Sequence, residues 1–173
     1  MKIEIKKTIN SSAAQVWKIF AHDFDDAYIW MSSIPNSHGK DFGKKFPGAH
    51  SSGRVCELNS DPKGIKAEEL FLAYDEENKS CTIKIEFANT SVFFPIQYNV
   101  LNFSLREIAE HKTEVNWIVD SHLKPFAHLL YPIIRLGFGF FVQQILEELK
   151  YFAENGKPHP RKTKAVEKLS NVA

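Results

Sequence analysis

The chain has 173 residues, 43% of them hydrophobic, with 14 Phe and 3 Trp, enough for one domain with a sizeable core. A formal net charge of +1 excludes a global electrostatic pull toward nucleic acid or an anionic membrane. The two cysteines, Cys56 and Cys81, lack C-x-x-C spacing, which argues against a zinc site and fits a reduced, cytoplasmic setting.

Residues 2–9 alternate, with Ile3, Ile5 and Ile9 on one face and Lys2, Glu4, Lys6 and Thr8 on the other, which predicts a half-buried strand. No apolar signal segment follows Met1-Lys2, so a cytoplasmic location is expected. Ser12 and Gln15 form a capping-box pattern ahead of a short helix carrying Val16, Trp17, Ile19 and Phe20. A second short helix, rich in Asp23, Asp25 and Asp26, is expected over 22–30 and ends at Trp30. With His22 these acids do not form a known metal-ligand spacing. Residues 32–52 contain Pro35, Gly39, Gly43, Pro47 and Gly48 and read as a long loop with one weak strand near Ile34.

Five clearer strands follow, over 54–59, 67–74, 81–87, 96–106 and 113–121, and their short connections predict an antiparallel meander. The first connection is the turn Ser60-Asp61-Pro62-Lys63-Gly64. Period two then sorts the polar residues. Asn99 and Gln97 share a face with Leu101 and Phe103, Thr113 and Ser121 share one with Trp117, and Glu68 shares one with Leu70 and Leu72. Arg54 and Glu57, three apart, face opposite sides, so one of them points inward and needs a partner.

A long helix is expected over 126–154, ended by Gly156 at its C-cap with Pro158 beyond. Its first half is apolar nearly all round, with Arg135 as its single full charge, which predicts burial on every side. Its second half is amphipathic, with Ile145, Leu146, Leu149 and Phe152 apolar and Glu147 and Glu148 solvated. The apolar stretch 127–142 is short of the roughly 20 residues a membrane span needs and contains Pro132, Arg135, Gly137 and Gly139. Each mid-helix glycine costs about 1 kcal/mol against Ala, so the pair serves either a void for a ligand or close helix–strand packing. Pro132 either kinks the helix or marks its start. Residues 156–173 read as a basic, flexible tail.

This order of elements is that of an α+β helix-grip fold. In it a curved antiparallel sheet of six to seven strands wraps around a long C-terminal helix, with two short helices after the first strand. The residues themselves resemble the START-related, polyketide cyclase/dehydrase-like branch of that superfamily (SRPBCC). The likeness lies in Ala14-Gln15-Val16-Trp17-Lys18-Ile19-Phe20, Trp30, Pro47-Gly48-Ala49 to Gly53-Arg54-Val55, Glu68-Glu69-Leu70 to Tyr74-Asp75-Glu76-Glu77, Val115-Asn116-Trp117 and residues 146–154. It covers residues 1 to about 155, taken as one ligand-binding domain, and matches no motif that assigns a catalytic residue.

The resemblance implies a hydrophobic cavity between sheet and helix, gated by the 32–52 loop, that binds or carries a lipid, a quinone or a polyketide-like molecule. The alternatives are a cyclase or dehydratase using the same cavity, and a protein–protein interaction module with a filled interior and an exposed apolar patch. The candidate cavity residues are Trp30, Arg54, Glu68, Phe87, Asn99, Phe103, Trp117, Tyr131, Ile134, Phe138 and Phe141. Arg54 is the candidate for holding a carboxylate or enolate. No metal, cofactor or nucleic-acid partner is expected, and transient membrane contact is compatible with the pattern.

Overall fold

A computed structural model of the chain describes residues 1–41, 43–61 and 63–170. Pro62 of the expected turn, Phe42 of the expected loop and the last three tail residues lie outside that set. Seven antiparallel strands form one sheet in the order β1-β7-β6-β5-β4-β3-β2. They are β1 Lys2–Ile9, β2 Asn36–Lys40, β3 Gly53–Glu57, β4 Lys66–Asp75, β5 Ser80–Ala88, β6 Ile96–Ala109 and β7 Lys112–Leu123. Strands β2 to β7 are a meander, and β1 closes it by pairing with β7. The strand expected near Ile34 forms two residues later as the edge strand β2.

Between β1 and β2 lie α1 Ala13–Trp17, a π-helical turn Lys18–His22, a 3-10 turn Phe24–Asp26 and α2 Ala27–Trp30. The Ser12 hydroxyl accepts from the Gln15 N–H at 3.2 Å, so the N-terminal half of the expected capping box forms. The apolar side of this segment lies on the sheet. Phe20 stacks on Phe103 with ring centroids 3.7 Å apart, and Trp17, Phe24, Phe71 and Trp117 extend the aromatic core around them. The Trp17 indole N–H is not left unpaired, since it donates to Glu76 at 2.9 Å.

After β7, a 3-10 helix Pro125–Leu130 leads into α3 Tyr131–Asn155. Pro132 falls in the first turn, where a missing N–H costs nothing, so it marks the start of α3 rather than a kink. Gly156 ends the helix in the left-handed conformation at φ 66°. Burial along α3 departs from the sequence expectation. Val142, Ile145, Leu146 and Leu149 are buried, but the first half is not covered on every side. In α3 Ile133 is 72% exposed, Leu136 78% and Phe140 62%, and Leu129 of the preceding 3-10 helix is 88% exposed. The sheet grips the C-terminal half and leaves the outer stripe of the N-terminal half uncovered.

The tail also differs. Residues expected to be flexible form α4 Pro160–Ser170. Its anchors are charged, which a hydrophobicity reading does not register. The Lys162 ammonium is buried and donates to the Ile34 carbonyl at 2.9 Å. Arg161 donates to Glu148 at 2.9 Å and to Glu147 at 3.0 Å. Glu148, expected in solvent, is buried and also accepts from the Ser32 N–H at 2.8 Å and the Ser32 hydroxyl at 2.6 Å. It ties α3, α4 and the chain after α2 at one point. Burial lowers the Lys162 pKa, and the nearby Glu148 charge partly offsets this.

Candidate functional site: an apolar cavity with a polar row

A cavity of about 110 Å³ lies between the concave face of the sheet and α3. Ile85, Phe87, Leu101, Trp117 and Val119 form its floor, Phe138, Phe141, Val142 and Ile145 its helix side, and Met31, Ser33 and Ile34 its roof. Among the described residues of the 32–52 segment, only Ser33 and Ile34 touch it. The remainder runs as β2 and then packs against Asp25 and Tyr74, with the Ser51 hydroxyl 2.7 Å from Asp25. The segment expected to gate the cavity thus contributes Ser33 and Ile34 to its roof.

Six candidate residues line the cavity: Arg54, Phe87, Asn99, Trp117, Phe138 and Phe141. The other five do not. Trp30 is buried in the core beside it, and Phe103 lies beneath Phe20. Ile134 is half-buried on α3 outside the lining. Tyr131 stands at the exposed start of α3, its hydroxyl 3.4 Å from Arg135. Glu68 faces the opposite side of the sheet and pairs with Lys40 at 3.0 Å.

The inward residues of β4 are Ala67, Glu69 and Phe71, one position out of phase with the expectation. A bulge between Phe71 and Ala73 breaks the alternation, so Leu72 is exposed. On β6 an irregularity between Ile96 and Tyr98 likewise turns Gln97 outward while Asn99 stays in. Thr113 and Ser121 are buried as expected. Neither glycine of α3 makes room for a ligand. A side chain at Gly137 would meet open space, and Gly139 passes Ile3 of β1.

The residue missed from the sequence is Glu69. Buried Arg54 donates to it from Nε at 3.0 Å and from Nη2 at 2.8 Å, and from Nη1 to the Phe24 carbonyl at 2.5 Å. The Arg54 guanidinium also lies 4.0 Å from the Phe24 ring centroid. Burial works against the Arg54 charge, but neighbouring Cys56 and Glu69 outweigh it and hold the pKa above its usual value. Burial pushes the Cys56 thiol up, and the Cys81 thiol up to about 12, so neither is a thiolate at neutral pH. A buried Arg needs a carboxylate, and Glu69 is directly opposite Arg54 in the β3–β4 register. That pairing requirement was the available signal.

The register continues across the sheet. Arg54 pairs with Glu69, Glu69 with Ile85, Ile85 with Asn99 and Asn99 with Ser121. These five residues form one transverse row, each step about 4.8 Å. The Asn99 Oδ1, Ser121 Oγ and Ser33 Oγ atoms are buried without a hydrogen-bond partner in the protein.

His22 and Glu76 lie 3.0 Å apart, and Lys18 pairs with Asp23 at 2.5 Å. Among the described residues, no group of three or more His, Cys, Asp or Glu is placed to hold a metal ion.

No family model matches the chain, and no curated relative matches it. Its fold does match solved structures. It is similar to a START superfamily protein from Mycobacterium smegmatis at 12% identity and a TM-score of 0.60, covering 99% of each chain. It is similar to ginseng major latex-like protein 151 from Panax ginseng at 19% identity and a TM-score of 0.60, covering 88% of this chain and 97% of that one. It is also similar to a Thalictrum norcoclaurine synthase mutant in complex with a transition state analogue, at 11% identity and a TM-score of 0.61, covering 88% and 93%. The chain shares the helix-grip fold of these structures.

Proposed function

We propose that this protein reversibly binds a hydrophobic small molecule between the sheet and α3. One observation carries the reading: side chains leave an apolar-walled space unfilled at the centre of the fold, with a few buried polar groups facing it. The enclosed volume is smaller than the roughly 150 Å³ dry cavity known to take benzene. The buried part of a ligand is therefore a ring or a chain end. The titratable groups lining the space, Arg54 and Glu69, hold each other, so carriage is favoured over a cyclase or dehydratase activity. A cytoplasmic setting, with Cys56 and Cys81 as buried free thiols, is part of the same proposal.

The reading includes contact with a lipid surface. Leu129, Ile133, Leu136 and Phe140 form an exposed stripe at spacings of three and four. Exposed Val92 and Phe93 in the β5–β6 connection stand at the same end of the sheet, where the Lys124 N–H donates to the Pro95 carbonyl at 2.9 Å. Residues 87–106 and 121–146 contain no Asp or Glu, whereas Lys124 and Arg135 are cationic. A second copy meeting this face through a two-fold axis would set cations against cations. An anionic bilayer complements it. By length and composition the helix Pro125–Asn155 could cross a membrane, but Val142, Ile145, Leu146 and Leu149 are buried within the fold, and the reading places it at the interface.

The test is native mass spectrometry of gently purified protein, followed by organic extraction. A discrete apolar mass supports carriage. A bare chain, with no thermal shift across a lipid, quinone and aromatic panel, sinks it.

A further inference from the structure

Granting that the cavity binds a ligand, we infer that its polar row selects a neutral ligand with a hydrogen-bond-donating head, such as a phenol or alcohol. The row rejects carboxylates, gives a hydrocarbon no anchor, and gives an ether, which can only accept, a weaker one than a hydroxyl.

The argument is one of unmet valence. The Asn99 side chain faces the cavity from the middle of the sheet, is 3% exposed, and has no partner for Oδ1. Ser33 faces the same space from the roof, with Oγ also unpartnered. Ser121 stands beside Asn99 in the register with a third unpartnered oxygen. The Asn99 carbonyl oxygen accepts only, whereas its NH2 group donates and the Ser33 and Ser121 hydroxyls can do either, so the pole is met most fully by a ligand hydroxyl, which both donates and accepts. A buried unpartnered polar group is costly, and a ligand donor that satisfies it recovers that cost on binding.

The other end of the row decides the charge. Arg54 is the natural anchor for an anionic ligand, but Glu69 already neutralises it at 2.8 Å. A ligand carboxylate would stand near the Glu69 carboxylate, and an ammonium near the Arg54 guanidinium, each desolvated without a free counter-charge. This overturns the sequence expectation that Arg54 holds a carboxylate or enolate. Ile85 separates the Arg54–Glu69 pole from the Asn99–Ser121 pole, so the wall between them is apolar.

The test is calorimetric titration of the full chain with four probes of one shape: 4-pentylphenol, 4-pentylanisole, pentylbenzene and 4-pentylbenzoate. The phenol is expected to bind at least tenfold tighter than the other three. In Asn99→Leu that advantage falls at least tenfold while pentylbenzene affinity stays within twofold, and the unliganded variant melts at or above the parent temperature. If Asn99→Leu does not fold, Ser33→Ala is read instead, with an expected loss of about threefold in the phenol advantage. Equal binding of all four probes overturns the inference and leaves the cavity reading intact. Tightest binding of the benzoate, or an anisole as tight as the phenol, overturns it too. No binding of any probe, with the melting temperature unmoved, removes the cavity reading and the inference with it.

Discussion

The more apolar half of α3 is the less buried one. From Val142 onward, Ile145, Leu146 and Leu149 repeat along the face gripped by the sheet, while Gln143 and Glu147 meet solvent. Before Phe141 the helix carries two apolar stripes. Phe138 faces the cavity, and Leu129, Ile133, Leu136 and Phe140 face away from it. An apolar residue on a helix thus says that it avoids water, not which partner removes it. The second half has its partner within the chain. For the outer stripe of the first half, the proposed partner is a bilayer.

The largest expected effect comes from the gripped half. Leu149→Ala deletes a fully buried side chain and is expected to cost about 2–5 kcal/mol by urea denaturation, through lost transfer energy and the cavity left behind. A cost below about 1 kcal/mol would show that the two halves are equally loose. Glu148→Ala comes next. It leaves the Ser32 N–H and hydroxyl and the Arg161 guanidinium without their acceptor, at an expected cost of about 1.5–3 kcal/mol. It should also uncouple α4, raising amide exchange over residues 160–170 without affecting β7. Unchanged exchange there would mean that Lys162 and the Arg161–Glu147 pair hold α4 without Glu148.

A smaller effect depends on pH and also belongs to the gripped half. Glu154 accepts from the Asn10 N–H at 2.7 Å and from Lys150. Burial raises its pKa, but the contacts with Lys150 and Asn10 outweigh it, and the folded value lies below the ordinary one. A depressed folded pKa means stability that is present above the ordinary carboxylate range and lost as pH falls through the folded value. Glu154→Gln is therefore expected to cost about 1 kcal/mol at pH 7 and progressively less in acid. A mutational cost that is constant with pH would remove the charge from the account.

Much of this architecture was legible in the sequence because it rests on period two and on backbone punctuation. Ile83 and Ile85, Trp117 and Val119, and Gly156 all act as their spacing implies. Parity put one of Arg54 and Glu57 inward, and the structure shows it to be Arg54; Asn99 was placed inward by parity with Leu101. What failed has physical causes. The β4 bulge turned Leu72 outward and Glu69 inward, and no local pattern announces a bulge whose flanking residues are equally apolar. The α4 helix is anchored by Lys162 and Arg161, charged residues whose partners lie at Ile34, Glu147 and Glu148, so composition alone suggested a free tail. The outer stripe of α3 failed for the reason the comparison gives, since all-round apolarity was taken for all-round burial.

The smallest effect on stability carries the sharpest test of the comparison. Leu136 touches little within the chain, so Leu136→Ser is expected to change unfolding free energy by no more than about 0.5 kcal/mol. If a bilayer covers the outer stripe, the same substitution removes a large apolar side chain from the contact. Co-sedimentation with vesicles containing phosphatidylserine should then fall at least fivefold, and added salt should weaken parental binding because Lys124 and Arg135 supply the electrostatic part. Ligand titrations of Leu136→Ser should match the parent, because Leu136 does not line the cavity. Parental protein that ignores vesicles but forms a dimer in sedimentation, with the dimer broken by Leu136→Ser, would assign the stripe to a second copy. The two halves of α3 would then both be protein-covered, one within the chain and one between chains.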